Sequence, residues 1–104
     1  MSIKTKMKIR HSGKEAEVFV LINHPMRPVY KEDQKTKKHI SAHYIETLHF
    51  KLNDRPVADV SLGPAIAANP MIGLYLKNVK AGDQVSVNWE DNRGMKGGAK
   101  KYIK

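Results

Sequence analysis

The chain has no cysteine. It can therefore form no disulfide, offer no thiolate to a metal and use no thiol as a nucleophile. No apolar run approaches the roughly eighteen residues needed for a membrane-spanning helix. Aromatic residues make up only 7% of the 104 residues, with a single tryptophan, which leaves little for a base-stacking platform. Acidic residues are outnumbered, 10 against 19 Lys and Arg, for a formal net charge of +9. That balance predicts attraction to anions, whether nucleic acid, acidic lipid, acidic protein or a small oxyanion, without choosing among them. The basic N-terminus, residues 1–10, has no hydrophobic stretch or small-residue cleavage site, so no signal peptide is expected. A Gly-x-Ser-x-Gly element is also missing, and no cysteine can pair with a histidine, so catalysis by this chain alone is not expected.

Helical periodicity is missing too, since the dominant period is two. Ile3, Thr5, Met7 and Ile9 alternate with Lys4, Lys6, Lys8 and Arg10, the pattern of a strand with one buried and one wet face. Four cations in a row suit an edge strand that resists pairing with a neighbour. After Ser12-Gly13 comes a second strand, residues 16–22, apolar on both faces. Asn23-His24-Pro25-Met26-Arg27-Pro28 breaks it, and the charged residues 31–38 read as a loop. Strands are then expected at about residues 42–52, with Tyr44, Leu48, Phe50 and Leu52 on one face, and at 55–62 after the Asn53-Asp54 turn. Three more follow: residues 71–76, the alternation Val85, Val87, Trp89, and residues 99–103. About seven strands with turns between them predict an all-β, immunoglobulin-like antiparallel β-sandwich, a single domain over residues 1–104.

Trp89 sits in the apolar register of its strand and is expected in the core. Gly94-Met95-Lys96-Gly97-Gly98 has neither P-loop spacing nor a following helix, and reads as a flexible hairpin turn. His39 and His43 would align only on a helix. In a strand they stand about 13 Å apart, too far to share an ion, so no metal is expected. Asp54, Asp59 and Asp91 would be catalytic only if the fold gathered them. Asp54 and Asp91 lie in turn sequences, where Asp accepts local backbone hydrogen bonds. No cofactor is implied.

Two segments stand out. Pro64-Ala65-Ile66-Ala67-Ala68-Asn69-Pro70 carries no charge and is fenced by prolines that bar regular sheet pairing. Pro70 also keeps Asn69 out of the right-handed helical region. Such a segment packs under the domain or docks on a partner. Next to it, Phe19, Leu21, Met71 and Tyr75 fall on the face that a lone sandwich exposes. Either the charged loop folds over them or a partner does.

The run His24-Pro25-Met26 after an apolar strand, the segment from Pro64 to Pro70, and Trp89-Glu90-Asp91 before Gly94 together resemble SoxZ, a small-subunit family of the thiosulfate-oxidising Sox system. The resemblance spans nearly the whole chain in order and spacing, and its second motif is the specific one. It implies an immunoglobulin-like, non-catalytic subunit that pairs with SoxY, whose Gly-Gly-Cys-Gly-Gly arm carries sulfur intermediates covalently between Sox enzymes. It implies a periplasmic location, reached by export with the partner, and transient contact with the other Sox enzymes, but no nucleic acid and no membrane. Phe19, Leu21, Ile66, Met71 and Tyr75 are then the candidate partner-interface residues. The family pattern commonly continues Glu-Thr-Gly after His24-Pro25-Met26, whereas here the chain reads Arg27-Pro28-Val29-Tyr30. The alternative on charge alone is a basic nucleic-acid-binding β-sandwich using residues 4–10 and 96–104.

Overall fold

The computed structural model describes residues 3–26, 31–32, 39–40, 42–63 and 66–104. Within them the chain is all β. The strands are β1 (Thr5–Ser12), β2 (Glu15–Ile22), β3 (Lys31–Glu32), β4 (His39–Ile40), β5 (Ile45–Leu52), β6 (Arg55–Ser61), β7 (Met71–Lys77), β8 (Gln84–Asp91) and β9 (Lys96–Tyr102). Seven of these form two antiparallel sheets, ordered β1-β2-β7 and β6-β5-β8-β9, while β3 and β4 pair with each other. The expected sandwich is therefore present, with the immunoglobulin-like division into a three-stranded and a four-stranded sheet.

Period-two patterning decides which face of each strand turns inward. From β2 come Val18, Val20 and Ile22, from β5 Ile45, Leu48, Phe50 and Leu52, and from β8 Val85, Val87 and Trp89. Burying Trp89 alone contributes roughly 4–6 kcal/mol as an upper estimate. One flank of the sandwich is laced shut. Lys101 Nζ on β9 donates to Met7 O on β1 (3.5 Å), and Trp89 Nε1 donates to Thr5 Oγ1 (2.8 Å). β1 stands at the margin of its sheet, the edge strand that the four cations of residues 4–10 foretold.

Turn chemistry follows the sequence. Asn53 and Asp54 adopt φ of 51° and 67°, the paired left-handed geometry of a tight hairpin turn. Asn53 Nδ2 also donates to Asp83 Oδ1 (3.0 Å), and the Lys80 N–H donates to Asp83 Oδ2 (3.0 Å). Those two bonds hold the Asp83 carboxyl below its ordinary range.

Three expectations need correction. A register shift between Ile45 and Thr47 changes the phase of β5, so Ile45 is buried and Tyr44 only half-buried. The charged stretch is not wholly strandless, since Lys31–Glu32 pairs with His39–Ile40. The rest of it lies outside the described residues. Gly97 and Gly98 belong to β9, not to a flexible turn. Trp89 lies directly opposite Gly97, and a Cβ there would fall 2.5 Å from Trp89 Cζ2. Glycine is required because the indole fills the room a side chain would need.

Replacing Gly97 by Ala therefore overpacks the core, and Gly97→Ala should lower stability by about 1–3 kcal/mol. The midpoint of urea unfolding measures this; an unchanged midpoint would show that the indole moves aside freely.

Candidate functional site

The register of the three-stranded sheet arranges its outer face in rows. Lys6 stands opposite Leu21, which stands opposite Met71. Lys8, Phe19 and Gly73 form the next row, and Arg10, Glu17 and Tyr75 the one after. Phe19 and Leu21 are half-buried, while Met71 and Tyr75 are 67% and 53% exposed. The face thus has an apolar end, a cationic margin on β1 and a polar end. At the polar end the Tyr75 hydroxyl donates to the Glu15 carboxylate. That bond, helped by burial and the nearby charges of Glu15 and Glu17, raises the Tyr75 pKa.

Four of the five predicted interface residues, Phe19, Leu21, Met71 and Tyr75, therefore share one surface. The fifth, Ile66, stands 38% exposed on the segment that leads into it. Pro64 and Ala65 lie outside the described residues. Ile66 to Asn69 are exposed, whereas Pro70 is buried, so the proline-fenced segment is anchored at its end and presented along its length. Asn69 adopts φ 54°, outside the right-handed helical region as Pro70 requires. The Asn69 N–H donates to His24 O (2.9 Å), and the Ile22 N–H donates to Pro70 O (3.2 Å). These bonds stitch the segment to the end of β2.

His24 is the hub beneath that junction. It is fully buried and touches the ring of His43 (centroids 4.5 Å) and that of Trp89 (5.8 Å), both edge to face. The Met26 N–H donates to His24 Nδ1 (3.0 Å), so Nδ1 carries a lone pair and the ring proton sits on Nε2. Nε2–H then donates to Asp91 Oδ2 (3.1 Å), and His43 Nε2 meets the same oxygen at 2.7 Å. Asp91 Oδ1 accepts from the backbone N–H groups of Arg93 (2.9 Å) and Met95 (2.8 Å). Burial disfavours charge on Asp91. The bonds from His24, His43, Met95 and Arg93 outweigh it and hold the carboxyl below its ordinary range.

Ligating atoms of His24, His43 and Asp91 lie within 4.8 Å of one another, close enough for a shared metal ion. The donor pattern argues against that use. A histidine bound through Nε2 normally donates from Nδ1, but here Nδ1 accepts from Met26, which leaves no lone pair on Nε2. The cluster is a structural clasp.

Sequence reasoning saw Asp91 as a turn residue, and its Oδ1 does serve the turn. What it missed is Oδ2, which reaches His24 and His43 across 67 and 48 positions. The available signal was position: His24 just past the end of one core strand and Asp91 at the end of another. Asp54 and Asp59 are not gathered with Asp91. Asp54 sits in the β5–β6 turn, and Asp59 pairs with His49 on the surface (2.7 Å). His39's side chain lies outside the described residues.

The model of the family described as sulphur oxidation protein SoxZ matches residues 3–101. A comparison with individual curated proteins gave no match. The clasp joins all three of the quoted sequence motifs: His24-Pro25-Met26, the segment ending at Pro70, and Trp89-Glu90-Asp91.

Asp91→Asn would leave one acceptor oxygen for four donors and should cost about 3 kcal/mol at neutral pH. The folded pKa of Asp91 is depressed, so its contribution is fully present above the unfolded value, near 3.9, and lost as pH falls through the folded one. Urea midpoints of wild type and variant should thus converge as the pH falls below about 4; a gap that widens on acidification would contradict this.

Proposed function

We propose that this chain, which belongs to the SoxZ family and so to a sulfur-oxidation system, is the non-catalytic half of a sulfur carrier complex. Its partner is a SoxY-type subunit whose cysteine arm holds the sulfur intermediates. The observation that carries this reading is the family match over residues 3–101, taken with the apolar outer face of the β1-β2-β7 sheet. An apolar sheet face with two large side chains more than half exposed suits a lasting interface better than a solvated surface. An obligate interface of this kind buries about 2,000 Å² or more.

The composition fits the part. A companion without cysteine cannot exchange thiols with a sulfur adduct held on the partner. The basic surface speeds encounters with acidic docking faces of the other Sox enzymes, which this complex meets transiently. We infer that the chain works in the periplasm and is exported together with its partner.

Co-expression with a SoxY-type subunit, followed by size analysis, should give a stable 1:1 heterodimer. A chain that stays monomeric beside that subunit would refute the reading. Met71→Asp should leave the fold intact, since the side chain is already exposed, and weaken the pair by about 2 kcal/mol or more. An unchanged dissociation constant would remove Met71 from the interface.

A further inference from the structure

Two glycines of the sheets have reasons inside the domain, and one has none. Gly97 makes room for the Trp89 indole, and a Cβ on Gly98 would strike the Val87 carbonyl oxygen. Gly73, in the middle of β7, is different. Its φ is not positive, and a Cβ there would meet only the Phe19 ring, at 3.9 Å, an ordinary contact. Among the described residues, nothing requires a glycine at this position, where glycine weakens the strand. A strand glycine without an internal reason marks a place that something else approaches closely.

The surroundings say what approaches. Met71 and Tyr75 rise on either side of Gly73 along β7, and Phe19 lies next to it on β2. Phe19, Gly73 and Tyr75, with Glu17 and Leu74, line a shallow dent of about 180 Å³, room for one aliphatic side chain. In the same row, on the far side of Phe19, stands Lys8, with Lys6 one row on. Arg10 faces Glu17 across the strands, but Lys6 and Lys8 face Leu21 and Phe19, so no carboxylate stands opposite them. Lys6, Lys8, Arg10 and Lys101 rim a groove floored by Met7, Phe19, Leu21 and Met71. Cations beside an apolar floor complement an apolar surface edged with acids. A nucleic-acid strand would need a stacking platform, and Phe19 is half-buried in a packed row.

Resting on the heterodimer reading above, we propose that the dent over Gly73 receives an apolar side chain of the partner subunit. Acidic residues on the same partner face lie over Lys6 and Lys8. The dent sets the register of the two subunits, and the acidic row steers their encounter.

The test uses the full chain with the SoxY-type subunit, by stopped-flow association and surface-immobilised dissociation. Gly73→Val should keep the wild-type melting temperature or raise it, yet raise Kd at least tenfold, chiefly through faster dissociation. Gly73→Ala, a smaller plug, should fall between and serves if the valine variant misfolds. Lys6→Glu with Lys8→Glu should slow association at least tenfold at low salt and flatten its salt dependence. A folded Gly73→Val chain that binds with wild-type Kd overturns the dent. Unchanged association of the double variant overturns the acidic row. So does a double variant that keeps the partner but loses retention of a 20-mer oligonucleotide, which would assign the cations to nucleic acid. Failure of the wild type to bind the partner removes the heterodimer reading and this inference with it.

Discussion

A single buried carboxylate holds the sandwich at the end where its loops gather. Asp91 offers two oxygens to four donors, two from its own turn and two from histidines on other segments. Oriented hydrogen bonds compensate for a charge that burial would otherwise expel. His24, locked as a donor by the Met26 N–H at its other nitrogen, carries that order outward to the end of β2. Its carbonyl accepts from Asn69, and Pro70 is bound beside it. The entry of β7, and with it Met71 at the head of the outer face, depends on a proton position inside the domain.

The strands were legible because their evidence is local. Alternation in residues 3–10 and in Val85, Val87 and Trp89 requires no knowledge of partners, and neither does Asn53-Asp54 as a turn. Errors arose where the backbone leaves strict alternation or where contacts are distant. A register shift beside Ile45 brought Ile45 into the core and left Tyr44 packed at its margin. Gly97 and Gly98 resemble a loop until one knows that Trp89 lies over them. The His24–Asp91 bond joins residues 67 positions apart, and no periodicity announces such a pair. The residues of the outer face were half legible. Residues 16–22 and 71–76 were visibly apolar on both faces, but which unlike neighbours shared a row was decided by register.

The two faces of the three-stranded sheet carry different duties. Inward, Val18, Val20 and Ile22 supply stability. Outward, Phe19 and Leu21 are half-buried and Met71 and Tyr75 more than half exposed, the surface on which the proposed pairing rests. In the proposed pairing, net charge and apolar area divide the work between rate and lifetime. In the proposed complex, a basic chain without thiols would stand beside the sulfur carrier as a scaffold that neither attacks the cargo nor competes for it.

The lacing of β1 to β9 bears on when such assembly can begin. Lys101 reaches Met7 across 94 positions and Trp89 reaches Thr5 across 84, so the sandwich closes only once its last strand exists. Folds dominated by such non-local contacts form in milliseconds to seconds rather than microseconds. The β1–β2 hairpin, with its cations and Phe19, is made early in synthesis. β7, its Gly73 dent and the Asp91 clasp that fixes its entry come much later. A nascent chain on the ribosome therefore displays half of the outer face before the other half exists, and the proposed pairing would need the completed chain.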